Sequence, residues 1–217
     1  MRHNALFCVA VGWAVAVGLA TLRGNPENGA DAERVAKLIK QLGADAFAKR
    51  EAASRELESI GEPALAALRK AAASDGDPEI RRRAEQVIQA IAGRIAQREL
   101  AKLQGTWSLA SYETDGKLIK GEDKSHTFTV KGEKWSIHVG GQVFQAGTVQ
   151  LIEVKEKVNA IDLLITEGGN VGATAVSIYS LEGDSLKYLN CGDPRPAEFV
   201  TKEGDGRHYL TFRRAKP

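Results

Sequence analysis

Three histidines lie in the second half of the chain, at His126, His138 and His208, and two cysteines stand far apart at Cys8 and Cys191. No His-x-x-x-His and no Cys/His spacing joins them, so no zinc site is predicted and no metal or cofactor is expected. Asp162 and Glu167 flank one apolar run, but no partner for acid–base work stands in register with them. Glu198, in Arg195-Pro196-Ala197-Glu198-Phe199, has Arg195 or an arginine near the chain end as its expected ion partner. Gly140-Gly141 and Gly168-Gly169 fall between strand-like runs and not before helices, which makes them hairpin turns and not phosphate cradles. Neither a nucleophile elbow nor a P-loop occurs. The expectation is a protein that is not an enzyme.

Binding chemistry is better represented. Trp107, Phe128, Trp135, Phe144, Tyr179 and Tyr188 all fall in the second half. Large aromatic side chains line apolar ligand sites, and they equally fill a ligand-free core. Phe128, Trp135, Phe144, Tyr179 and Tyr188 are the candidate ligand contacts. A ligand site predicts an internal cavity of roughly 300–1,000 Å³, whereas a solid interior would make the same half a structural plug.

These residues must be held by the run from Leu100 to Arg214. Eight strands are expected, near Gly105–Glu113, Lys124–Val130, Lys134–Val139, Gln142–Ile152, Asn159–Thr166, Ala173–Leu181, Ser185–Asn190 and His208–Arg214. Asp115-Gly116, Lys131-Gly132-Glu133, Gly140-Gly141, Gly168-Gly169-Asn170 and Glu182-Gly183-Asp184 separate them as turns. His126, Phe128 and Val130 share a face by alternation; so do Trp135, Ile137 and Val139, and Ile161, Leu163 and Ile165. Short strands joined by tight turns predict a meander that closes on itself and leaves no exposed edge.

The preceding residues, 31–98, read as helical. Val35, Leu38, Ile39 and Leu42 form one stripe; Phe47, Ala53, Leu57 and Ile60 a second; Ala64, Leu65 and Leu68 a third; Ile80, Ala84, Val87, Ile88 and Ile91 a fourth. Gly43 closes the first helix, Asp45 is the expected cap of the second, and Gly61 ends it. Pro63 opens the third and Asp77-Pro78 the fourth. Arg81-Arg82-Arg83 reads as a solvated face. Arg50-Glu51-Ala52-Ala53 with Leu57 and Ile60 is echoed by Arg81-Arg82-Arg83-Ala84 with Ile88 and Ile91, at a period of about thirty residues.

At the amino end, Arg2 and His3 precede an apolar run from Ala5 to Leu22, and residues 23–30 read as a polar linker. Gly18 and Ala20 suit a cleavage after Ala20. Residues 1–22 are therefore a secretory signal peptide or an uncleaved membrane anchor. The expected location is extracytoplasmic, periplasmic or secreted. With Cys8 removed, Cys191 has no internal disulfide partner; it is either a buried apolar residue or an exposed thiol. A net charge of +2 offers no broad field for nucleic acid.

Two resemblances follow. Gly61-Glu62-Pro63-Ala64-Leu65 and the echo around it resemble HEAT-type helical repeats, which implies a protein partner; a plain helical spacer is the alternative. Leu103-Gln104-Gly105-Thr106-Trp107, Ala160-Ile161-Asp162-Leu163, Ile178-Tyr179 with Gly183-Asp184-Ser185-Leu186-Lys187, and Arg195-Pro196-Ala197-Glu198-Phe199 resemble a bacterial family of secreted lipocalin-like domains without assigned activity. That resemblance covers residues 100–214. It implies that Gly105 and Trp107 meet a basic residue of the last strand, Arg213 or Arg214, across the closed end of an eight-stranded barrel. The combined expectation is an α+β chain: leader, short HEAT-like segment, then barrel. Its function would be to hold a small apolar ligand, or to serve as an envelope interaction module with a solid barrel.

Overall fold

The computed structural model describes residues 26–154 and 158–215, so the expected leader lies outside the described residues. The chain is α+β. Four helices, α1 (Pro26–Gln41), α2 (Phe47–Ile60), α3 (Leu65–Ser74) and α4 (Pro78–Leu103), precede all the strands, with a 3-10 turn at Glu62–Ala64 between α2 and α3. Residues 26–30, read as linker, belong to α1, and α4 runs past the expected boundary at residue 98.

The apolar stripes meet in one core. Val35, Leu38, Ile39 and Leu42 of α1 pack with Ala53 and Leu57 of α2, Leu65 and Leu68 of α3, and Ala84, Val87 and Ile91 of α4. Gly43 is required by proximity: a Cβ there would lie 2.6 Å from Asp77 Oδ2 and 2.8 Å from Ile80 Cγ1, at the start of α4. Asp77 caps α4 as expected, accepting from the Glu79 amide at 2.8 Å.

Three helical expectations are corrected. Ala46, not Asp45, sits at the cap of α2, with no side-chain cap bond. Arg50 holds that turn instead, its Nη1 donating to the carbonyls of Ala44 at 2.7 Å and Asp45 at 2.8 Å. Phe47 does not join the core; it is 65% exposed, with Arg50 and Arg83 guanidinium carbons 5.7 and 5.9 Å from its ring centroid. The Arg81–Arg83 run is not uniformly solvated. Successive helical residues diverge, so Arg82 stays outside while Arg83 is buried and bonds Glu51 of α2 at 2.8 Å and Glu79 at 2.6 Å.

The β half is a closed eight-stranded antiparallel barrel. The strands are β1 (Gly105–Thr114), β2 (Lys117–Lys120), β3 (Asp123–Lys131), β4 (Lys134–Val139), β5 (Gln142–Glu153), β6 (Asn159–Gly168), β7 (Thr174–Glu182), β8 (Ser185–Asn190) and β9 (His208–Arg214). Each of β3 to β8 pairs with the next, and β1 closes the ring by pairing with both β3 and β9. β2 stands outside the ring, paired only to the far end of β1. The sequence reading missed it because Leu118 and Ile119 are adjacent and both exposed, which leaves no alternation to detect. Asp115 and Gly116 both take positive φ in the turn that joins it, as a tight hairpin requires.

β5 and β6 approach closely where glycine leaves room. β5 carries a bulge at Ala146/Gly147, and a Cβ on Gly147 would lie 1.7 Å from the Leu164 carbonyl oxygen. On the outer side of β6 to β8, Asp162, Ile178 and Leu189 are also buried. Residues 191–195 lie along this side, where the Cys191 and Gly192 amides donate to the Val176 carbonyl and Arg195 pairs with Asp162, and farther on Thr201 and Gly204 bond Gly116 and Asp115 of the β1–β2 turn. Arg195 thus meets Asp162 and Asp193, not Glu198.

Candidate functional site

The two ends of the barrel differ. At one end, α4 runs directly into β1, and the first residues of β1 form a floor. Trp107 is fully buried and its indole N–H donates to the Leu103 carbonyl at 2.9 Å. Arg214, its direct neighbour across β1 and β9, lies with its guanidinium carbon 4.1 Å from the Trp107 ring centroid. The same guanidinium donates to the carbonyls of Gln104 at 2.7 Å and Lys102 at 3.0 Å, which the end of α4 leaves without helical partners. Gly105 makes room: a Cβ there would sit 3.4 Å from Arg214 Nη1. Of the two arginines named from sequence, Arg214 therefore covers the indole, while Arg213, one residue earlier on the strand, points away and is exposed. Gln104 ties the β3–β4 turn to this floor through Gly132, with bonds of 2.7 and 3.0 Å.

Above the floor the barrel is hollow. The cavity measures about 600 Å³ and reaches the opposite end. Its wall is aromatic. Phe128 lies at the centre, with ring centroids 6.4 Å from Trp135, 6.4 Å from Tyr188 and 5.8 Å from Phe212. Leu109, Ile137, Leu163, Ala175 and Leu210 complete the apolar surface. They face inward because alternate residues of each strand do. Tyr188 reaches in with a satisfied hydroxyl, 2.6 Å from Ser177 Oγ, and burial pushes its phenol above the ordinary range.

Of the contacts expected from sequence, Phe128, Trp135, Phe144 and Tyr188 line the cavity. Phe144 does so at the mouth, 59% exposed on the β4–β5 hairpin. Tyr179 and Trp107 do not. Both are packed into the core nearer the floor, Tyr179 at 1% exposure, where burial and then the charge of Glu99 raise its phenol pKa. Alternation gave their face correctly, but depth along the barrel axis depends on register and bulges, which alternation does not encode.

The mouth is polar and contains residues the sequence reading did not select. Tyr112, Lys120, His126, Gln145, Asn170, Asn190 and His208 stand around it. His126 and His208, far apart in sequence, line one cavity; His208 is hydrogen-bonded there, whereas His126 Nδ1 is buried near a carboxylate without a hydrogen bond. His208 Nδ1 lies 2.8 Å from the Tyr112 hydroxyl, and His126 Nδ1 lies 3.4 Å from Asp123 Oδ2. Asp123 also pairs with Lys120 and accepts from Ser125 Oγ at 2.7 Å. Lys120 first, then Ser125, hold its carboxyl well below the usual carboxylate range. Lys120 and Ile119 come from β2, so missing that strand hid them. His208 and Asn190 were legible in principle, as register partners at the ends of β9 and β8.

Among the described residues, no group of three or more His, Cys, Asp or Glu side chains is arranged to hold a metal, and no helix is long and apolar enough to cross a membrane. Cys191 is half-buried, its Sγ 3.6 Å from the Val176 carbonyl, and burial raises its thiol pKa. Comparisons with protein-family models, with curated proteins and with solved structures return no match.

Proposed function

We propose that this protein is a non-catalytic, extracytoplasmic binding module of lipocalin-like design, holding one small apolar ligand in the barrel. A cavity of about 600 Å³, apolar in its depth and open at one end, carries this reading. Ligand sites fall in the same size range, roughly 300–1,000 Å³, and combine an apolar body with a few polar groups. A barrel that acted only as a plug would use Phe128, Trp135, Tyr188 and Phe212 to fill its centre. Here they surround a space instead. The Trp107–Arg214 floor leaves the mouth as the way in.

The location rests on sequence alone: the apolar run from Ala5 to Leu22 acts as leader or anchor. The helical segment, HEAT-like by its sequence resemblance, serves as the contact for a protein partner; exposed Phe47 beside Arg50 is the feature that favours this role.

The test is titration with the neutral dye N-phenyl-1-naphthylamine, followed by its fluorescence and by quenching of tryptophan emission. Saturable one-to-one binding supports the reading. An unchanged signal up to the solubility limit of the dye overturns it.

A further inference from the structure

Beside the main cavity lies a second hollow of about 360 Å³, sharing Gln145, Asn170, Ala175 and Asn190 with it. Thr174, exposed and on the strand face opposite Ala175, stands at its rim. The described lining of this annex contains no ionisable side chain; its polar groups are amides and one hydroxyl. These groups are largely unused. Gln145 Nε2 donates to the Gly169 carbonyl at 2.8 Å, but among the described residues no bond engages the side-chain amides of Asn170 and Asn190 or the hydroxyl of Thr174. The apolar body and this polar annex thus adjoin across four shared lining residues.

Charge on the opposite side of the mouth is already balanced. Lys120 is the only Lys or Arg in the described cavity lining, and Asp123 pairs with it. An anionic head entering here would surrender its water with no free cation to receive it. A cationic head would find no free carboxylate. A hydroxyl-rich head fits, because amides offer donors and acceptors together and hydroxyls need both.

We infer that the ligand is an uncharged amphiphile: an apolar chain in the barrel and a hydroxyl-bearing, sugar-like head bound by the side-chain amides of Gln145, Asn170 and Asn190. This rests on the binding reading above and specifies the class of molecule that the site takes.

The experiment compares three probes with the same ten-carbon chain, each below its micelle-forming concentration: decyl glucoside, decanoate and decyltrimethylammonium. Each displaces N-phenyl-1-naphthylamine from the full chain. Decyl glucoside is expected to bind about tenfold more tightly than either charged probe, the worth of two or so net hydrogen bonds. Asn190→Leu should lose that preference, read as the ratio of decyl glucoside to decanoate affinity within the same variant, which is expected to fall to within about twofold of unity. If the dye binds but the glucoside has no advantage, or the variant keeps the preference, the head assignment is wrong and the binding reading stands. If the dye itself does not bind, both fall together.

Discussion

Arg214 lies over the ring of Trp107, guanidinium carbon to centroid 4.1 Å, and from that position bonds the carbonyls of Gln104 and Lys102. One side chain thus caps the indole that floors the barrel and the helix that leads into it. Removal of the guanidinium forfeits a cation–π contact and leaves two carbonyls to water. With Arg214 about a third exposed, the expected cost of Arg214→Ala is about 2 kcal/mol after discounting for solvent. Arg213→Ala should stay within about 0.5 kcal/mol, as exposed substitutions do. Urea denaturation of the two variants checks the contrast; equal losses would contradict it.

Gly147 permits β5 and β6 to approach at a bulge. The Cβ of alanine would fall 1.7 Å from the Leu164 carbonyl oxygen, which is backbone and has little freedom to retreat. Gly147→Ala should therefore lower stability by on the order of 3 kcal/mol or more, through strand displacement. Gly169→Ala, where the nearest atom is the flexible end of Gln145 at 4.0 Å, should cost far less. Thermal unfolding of both variants separates local crowding from a general intolerance of alanine in β5–β7.

The cavity itself can be closed by mutation. Ala175 faces inward on β7 and lines both the main space and its annex. Ala175→Phe places a ring in empty volume. The expected result is loss of dye binding together with unchanged or slightly raised stability, by about 0.5–2 kcal/mol, since cavity filling stabilises when nothing is displaced. Retention of full dye affinity would place the dye outside the barrel.

The same elements show what could be read before coordinates. The helix stripes and all eight strands of the barrel were legible because burial imposes a period, and the Trp107–arginine contact because both ends of the β half carry the needed types. The mouth was not. β2 lacks alternation, its apolar pair Leu118 and Ile119 being exposed on both faces. Asn170 is an ordinary polar residue in a turn, and Asn190 and His208, though register partners on adjacent strands, carry no apolar alternation that marks them as cavity-facing. Phe47 and Arg83 exchanged their expected environments because the partner residues, Glu51 and Glu79, come from different helices.

Arg83 joins α2 to α4 and is only 7% exposed. Its bonds to Glu51, then Glu79, raise its pKa, so it remains charged throughout the accessible range. Arg83→Ala leaves Glu51 without its partner on α4 and opens space against Phe47. Because both carboxylates are about a third exposed, the loss should be near 2 kcal/mol and not the ~3–5 kcal/mol of a fully buried pair. Arg82→Ala, whose side chain is 54% exposed, serves as the control and should change little.

Acid should loosen the mouth before the rest of the barrel. Asp123 joins Lys120 of β2 to Ser125 of β3, and these contacts depress its pKa in the folded chain. A depressed carboxylate contributes stability that is present above its unfolded pKa, about 3.9. That contribution is lost as pH falls below this value and through the lower folded one. Asp123→Asn should therefore unfold more easily than the parent at pH 6, and the gap should narrow as pH drops from 4 toward 2. In parallel, amide protection factors in β2 of the parent, corrected for the intrinsic exchange rate at each pH, should fall over the same interval while β6 and β7 stay protected. A gap that is constant with pH would mean that Asp123 contributes through shape alone and that its charge does not hold β2 against the rim.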